Sequence, residues 1–204
     1  AALLHNPHNP RSPWRFPHAG PPRSIRENAM MAGAQSVLYR VSLDRVVSLH
    51  RTLPKREFRA WRVAFSANGG YLAYGGDSDE VWLWSLSDRK YVGPFKAAAK
   101  PIIAVAFSPD GKLLAAAGGG GAVRVFSVPD GRTVATLKAH IRLATAVDFS
   151  PDGQFLATAG TDRAIRIWDL KSYKVQKTFK HPNISVWALR FSPDGRLIAT
   201  AGWK

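Results

Sequence analysis

From residue 36 onward, apolar and polar positions alternate in short runs separated by clusters of Pro, Asp, Asn, Ser and Gly. Alternation with period two, bounded by turn formers, predicts strands, because side chains at i and i+2 share a face of a pleated chain. The clearest stretch is residues 149–170, FSPDGQFLATAGTDRAIRIWDL, and the chain from 36 to 204 can be laid over it as complete or imperfect copies. Phe65, Phe107, Phe149 and Phe191 mark the copies at a constant spacing of 42 residues. A fixed period of that length predicts a repeat architecture in which each unit buries its apolar face against the next.

Each full copy predicts four strands, which in the third copy fall at Ala144–Phe149, 155–159, Ala164–Asp169 and 174–179. Val63, Val105, Val147 and Leu189 stand two residues before the repeat phenylalanine and share its face, which is predicted to be core. Small residues at 115–117, 157–159 and 199–201 predict close packing of one sheet on another. The first and second strands are joined by Pro109-Asp110-Gly111, Pro151-Asp152-Gly153 and Pro193-Asp194-Gly195, with Ala67-Asn68-Gly69 as a looser echo. Pro presets φ, Asp bonds to nearby backbone and Gly accepts positive φ, so these are hairpin turns and their aspartates are turn formers before they are candidate catalytic acids.

The two ends are partial. Residues 37–41 and 46–51, joined by Ser42-Leu43-Asp44-Arg45, read as the last two strands of a unit, and the fourth copy reaches Lys204 where its third strand would begin. The predicted division is a partial repeat near 36–58, repeats at 59–100, 101–142 and 143–184, and a partial repeat at 185–204, about four repeats' worth of strands. Residues 1–35 hold six of the chain's 14 prolines (Pro7, Pro10, Pro13, Pro17, Pro21, Pro22) and lack either periodicity, which predicts a disordered Pro/Arg-rich N-terminal tail. His5, His8 and His18 sit in that tail without flanking structure and are read as solvated, so no metal site is assigned. Met30 and Met31 offer an alternative start for the native chain.

Charge changes the picture more than the rest of the composition. Against 14 Asp and Glu stand 29 Lys and Arg, a net of +15 at pH 7, which favours anionic partners and says nothing of fold. The chain has no cysteine, which removes disulfides, thiolate metal sites and cysteine nucleophiles and favours a reducing, cytoplasmic setting. No apolar run reaches the roughly 20 residues of a membrane-spanning helix, and no signal peptide is evident, so no membrane partner is expected.

The motifs F-S-P-D-G, L-A-T-A-G-T-D and I-R-I-W-D-L resemble the WD40 repeat across residues 36–204. The resemblance implies an all-β fold, a WD40-type β-propeller that is incomplete at about four blades. It also implies a blade-locking network of His140, Thr158, Asp162 and Trp168, in which carboxylate, imidazole, hydroxyl and indole satisfy one another. His140 and Asp162 could pass for part of a hydrolase triad; with Thr158 alongside, the structural reading is preferred. The second copy has Ala98, Ala116, Gly120 and Phe126 at these places and is expected to hold together by apolar packing. The first keeps Trp84 but has Arg56, Tyr74 and Ser78, and the fourth has Thr200, an early His181 and Lys204. Gly118 to Gly121 lacks the Lys-Ser/Thr and helix of a phosphate cradle and is read as a flexible inter-strand turn.

Proteins of this family mostly serve as platforms, and the resemblance implies a non-enzymatic protein-protein interaction scaffold with no cofactor. It places Trp61, Ile103, Thr145 and Trp187 at the mouth of the central channel, with Arg59, Pro101, Leu143 and Ser185 two positions earlier and Trp203 and Thr161 in the neighbouring inter-strand turn. Trp and Arg are enriched at binding hot spots, so Arg59, Trp61, Trp187 and Trp203 are the candidate partner-binding residues; packing between blades is the alternative for Trp61 and Trp187. A second reading is nucleic-acid association through Lys55, Arg56, Arg59 and Arg62. A third is a propeller fragment of a larger regulatory protein such as a kinase or NTPase, although no kinase or P-loop motif occurs. An open sheet edge also predicts self-association that completes the propeller.

Overall fold

The computed structural model describes residues 59–204 and, before them, the backbone of two strands at 37–42 and 45–52. The tail at 1–35, and with it the side chains of Lys55 and Arg56, lie outside the described residues. Strands β1 (Val37–Ser42) and β2 (Arg45–Thr52) form an antiparallel pair. Three fuller sheets follow. Blade A comprises β3 (Ala60–Phe65), β4 (Tyr71–Gly76), β5 (Glu80–Ser85), β6 (Lys90–Tyr91) and β7 (Phe95–Lys96). Blade B comprises β8 (Ile102–Phe107), β9 (Leu113–Gly118), β10 (Ala122–Ser127) and β11 (Thr133–Lys138). Blade C comprises β12 (Ala144–Phe149), β13 (Phe155–Gly160), β14 (Ala164–Asp169) and β15 (Val175–Lys180). Blade D has β16 (Ser185–Phe191) and β17 (Ile198–Trp203). Every ladder is antiparallel, and no α-helix occurs among the described residues.

The turns explain why these residues form hairpins. In blade C the Ser150 hydroxyl donates to Asp152 Oδ1 and accepts from Phe155 N–H at 2.9 Å, while Asp152 Oδ1 also accepts from Gln154 N–H at 3.0 Å. Gly153 then takes φ +68°, where an L side chain would be strained. Blades B and D repeat the arrangement with Ser108–Asp110 and Ser192–Asp194, and Ser66–Asn68 supplies it in blade A. Hydrogen bonds from the serine hydroxyl and the following backbone hold Asp110, Asp152 and Asp194 below the usual carboxylate range. The serine belongs to the turn as much as Pro, Asp and Gly do.

First strands β3, β8, β12 and β16 pack side by side in chain order. Each blade offers second-strand alanines forward, joined in blade A by third-strand Val81 and Leu83, and receives larger residues from the first strand of the next. Ala73, Val81 and Leu83 of blade A enclose Ile102 and Val105 of blade B; Ala115 and Ala117 of blade B enclose Val147 and Phe149 of blade C; Ala157 and Ala159 of blade C enclose Val186 and Leu189 of blade D. The approach is close enough that a Cβ on Gly75 would stand 2.5 Å from Ile102 Cγ2.

Four expectations need correction. Val63 and Phe65, predicted as core, are exposed, because no described strand packs on that face of β3. Ala199, Thr200 and Ala201 are exposed for the mirror reason, since no described blade follows β17. The fourth strand of blade A splits into β6 and β7: Pro94 cannot donate to the ladder, and Gly93 lies so near Phe95 that a Cβ would be 2.6 Å from its ring. The glycine run is a tight turn in close backbone contact, where a Cβ on Gly121 would be 2.0 Å from the His140 carbonyl oxygen.

Candidate functional site

The polar core of blade C is built on two adjacent strands and the turn before them. Register pairs Thr158 with Arg166 and Leu156 with Trp168, so alternation brings Thr158, Arg166 and Trp168 to one face. His140 arrives from the segment before β12, and Gly160 leaves it room: a Cβ there would be 2.6 Å from the imidazole. Trp168 Nε1–H donates to Thr158 Oγ1 at 3.0 Å, Thr158 Oγ1 lies 3.0 Å from His140 Nε2, and His140 Nδ1 lies 2.7 Å from Asp162 Oδ1. One assignment satisfies all four groups: the hydroxyl donates to Nε2, and Nδ1–H donates to the carboxylate. His140 and Thr158 are buried, so an unmade bond here would carry its full desolvation cost.

Arg166, four residues beyond Asp162, donates to Asp162 Oδ2 at 3.0 Å, and Ala164 N–H donates to Oδ1 at 3.2 Å. Arg166 Nη1 is also 3.0 Å from His140 Nδ1. Both are donors in the assigned tautomer, so that approach is an electrostatic contact organised by the shared carboxylate. Burial pushes the His140 pKa down, and the hydrogen bond to Asp162 only partly offsets it. Burial alone would raise Asp162, but hydrogen bonds from His140 and Arg166 outweigh it and hold the carboxylate below its ordinary range. A neutral imidazole beside an ionised carboxylate is the consistent state. The imidazole has both nitrogens engaged and the hydroxyl is tied on both sides, so neither His140 nor Thr158 is a free nucleophile.

Arg166 escaped the sequence reading, although alternation along I-R-I-W-D already set it on the face of Trp168. So did the polar ties between blades C and D. Thr145 Oγ1 donates to the Val186 carbonyl, and Phe191 N–H donates to Asp148 Oδ2 at 2.8 Å. Burial raises the Asp148 pKa, against the Phe191 hydrogen bond and the Arg190 charge. Blade B lacks the relay and instead buries Phe126 among Phe95, Ile102 and Leu114. In blade A the Tyr74 and Tyr91 hydroxyls are 3.0 Å apart, and Tyr91 packs edge-on against Trp82 and Trp84.

The candidate mouth residues share a backbone feature. Register shifts lie across Trp61, Ile103, Thr145 and Trp187, one bulge in the first strand of each blade. Their side chains fare differently. Ile103 and Thr145 are buried, Trp61 is 48% exposed, and Trp187 is half-buried. Trp203 ends β17 opposite Ser185, so it is a strand residue and not part of the inter-strand turn. Its ring stacks on Trp187 with centroids 4.9 Å apart at 23°, leaving Trp203 63% exposed. Trp187 Nε1 is buried without a hydrogen-bond partner. Arg59 is exposed, its backbone N–H held by Asp77 Oδ1 at 2.8 Å. Arg59 and Trp61 thus belong to blade A, while Trp187 and Trp203 pair in blade D.

Antiparallel sheets recurring every 42 residues, packed first strand to first strand and in one case pinned by an indole–hydroxyl–imidazole–carboxylate relay, define a repeat protein built of propeller blades. The model of the WD domain, G-beta repeat family matches residues 131–169 and 173–204, and that of the Anaphase-promoting complex subunit 4 WD40 domain matches residues 95–149. The chain belongs to the WD40-repeat family. No curated protein matches the chain. WD40 repeats point to a role in protein interaction, and domains of the family are generally non-enzymatic scaffolds.

Proposed function

We propose that this chain is a non-enzymatic platform for a protein partner, which docks across Arg59, Trp61, Trp187 and Trp203. The observation that carries the reading is the stacked Trp187–Trp203 pair: one indole face lies open to solvent on a rigid two-strand support. An exposed, preordered aromatic surface offers large contact area at small entropic cost. The bulges supply a second support, because they turn the first-strand residue out of the ladder at Trp61 and Trp187. Similarity to a WD40 domain named for a subunit of a complex fits a part played within an assembly. The test is retention of proteins by the immobilised chain. Trp203→Ala, Trp187→Ala and Arg59→Ala each reduce retention of a common partner while far-ultraviolet circular dichroism stays that of the native protein. Unchanged retention by all three variants would overturn the assignment.

Nucleic-acid association is a second reading, favoured by the net charge of +15 and by Lys177 and Lys180 on the exposed edge strand β15, with Lys174 just before it. It requires affinity for a single-stranded oligonucleotide to fall steeply with salt, with a slope reporting the phosphates neutralised.

A further inference from the structure

Blade B keeps the cation of the blade C cluster and lacks the groups around it. In blade C the Arg166 guanidinium is neutralised by Asp162 at 3.0 Å, beside His140. The places 42 residues earlier hold Arg124, Gly120 and Ala98, so the carboxylate and the imidazole are gone and the arginine remains. Arg124 Nη1 donates to the carbonyls of Lys96 at 2.7 Å and Ala97 at 3.3 Å, and its Nε donates to Thr136 Oγ1 at 3.3 Å. All three acceptors are neutral. Among the described residues no carboxylate pairs with Arg124, and its Nη2 has no acceptor. In blade A the same place is Trp82, packed against Tyr91, and there is no cation to neutralise.

The surroundings of Arg124 suit an anion. Register pairs Arg124 with Thr136 and Ala122 with Lys138, so alternation sets Arg124, Thr136 and Lys138 on one face. Blade C repeats the group, with Arg166 opposite Thr178 and Ala164 opposite Lys180, and there a carboxylate completes it. Asp79, across the seam in blade A, is engaged with Lys96 at 3.7 Å. The blade B turn offers no side chain of its own: Gly120 takes φ +71°, where an L residue is strained, and a Cβ there would meet nothing closer than Ala99 Cβ at 3.5 Å. Gly120, Thr136 and Lys138 are exposed and Arg124 is half-buried, so the place is open to solvent. A guanidinium held partly out of water, with one nitrogen of its fork idle, gains more from a carboxylate than a freely solvated one does. Blades A and B each have all four strand positions filled, so this exposure owes nothing to either end of the chain.

We propose that Arg124, with Thr136 and Lys138 beside it, binds a carboxylate from outside the chain in the place that Asp162 fills in blade C. The guanidinium supplies the directional donor and Lys138 adds charge. A free carboxylate anion and the Asp or Glu side chain of a protein partner present the same group. The site lies on blade B and does not depend on the tryptophan platform.

The test follows the arginine Nε–H resonances of the full 204-residue chain by NMR while sodium acetate replaces sodium chloride at constant ionic strength. The Arg124 resonance, assigned by its absence from Arg124→Gln, is expected to shift and saturate, whereas that of Arg166, already paired with Asp162, stays in place. The backbone amide of Gly120 is expected to shift with Arg124 in the wild type and to lose that shift in Arg124→Gln. Circular dichroism checks that the variant is folded; Arg124→Lys, which keeps the charge without the fork, replaces it if it is not, and is expected to bind more weakly than the wild type. A short glutamate peptide at the same carboxylate concentration separates the sources: tighter binding than acetate assigns the carboxylate to a partner's side chain, and binding no tighter assigns it to a free anion. No saturable shift at Arg124, equal shifts at Arg124 and Arg166, or a Gly120 shift undiminished in the Arg124 variant would each overturn the proposal.

Discussion

Thr158 is the residue on which the polar core of blade C turns, because its one hydroxyl serves both Trp168 Nε1 and His140 Nε2. Thr158→Val keeps the shape and orphans two buried groups, which at about 1–3 kcal/mol apiece predicts a loss of about 2–6 kcal/mol in urea denaturation. Trp168→Phe in the Thr158→Val background should cost less than it does in the wild type, since its donor is already idle; equal costs would mean that the relay carries no coupling. The relay also sets a pH dependence. Burial holds the folded-state pKa of His140 below its ordinary 6.5, so on acidification the unfolded chain takes up that proton first. Native stability is therefore predicted to fall as pH drops below about 6.5. Asp162 adds a loss of the same sign lower down, because its carboxylate is held below the ordinary 3.8. Denaturation midpoints between about pH 7 and 5 measure the histidine part, and His140→Gln should flatten that slope. His140, Thr158, Asp162 and Trp168 were legible as motif positions. Arg166 was not, because an arginine on a strand is ordinarily read as solvent-facing, and only the register with Thr158 shows that it closes on Asp162.

At the scale of single elements, blades B and C solve the same packing problem by different means. Blade B has no relay, so Phe126 carries its centre, and Phe126→Ala is predicted to cost about 3–5 kcal/mol, readable in the same denaturation assay. Between blades C and D the decisive group is Asp148. Its raised pKa shows that burial disfavours the charge, while its Oδ2 still accepts the Phe191 N–H. Asp148→Asn keeps an acceptor and removes the charge, so at neutral pH its stability should equal or exceed that of the wild type, whereas Asp148→Ala should lower it by about 1–3 kcal/mol. A loss in Asp148→Asn as large as in the alanine variant would show that the charge itself is needed. The hairpins were easy to read in advance because Pro, Asp and Gly each enforce a backbone state locally. The split of β6 from β7 was harder, since it depends on Gly93 meeting the ring of Phe95 as well as on Pro94.

For the molecule as a whole, a 42-residue repeat identified the fold, yet it could not tell a packed blade from an end blade. Val63 and Val105 occupy the same place in the pattern, and only the presence of a neighbouring strand makes one exposed and the other buried. Charge acts at this scale too. The net of +15 is spread over a chain whose described ion pairs are few, and those of Lys90–Asp88, Lys96–Asp79 and Arg132–Asp130 are exposed and contribute little. Self-repulsion then outweighs pairwise attraction at low ionic strength. Salt that shortens the Debye length to about 10 Å, near 0.1 M, screens the repulsion more than it weakens the few pairs. Thermal midpoints are therefore predicted to rise with added sodium chloride from low ionic strength to about 0.1 M, by a few degrees. The direction carries the information: a midpoint that falls over that range would mean that local ion pairing, including the Arg166–Asp162–His140 cluster, dominates the electrostatics of the fold.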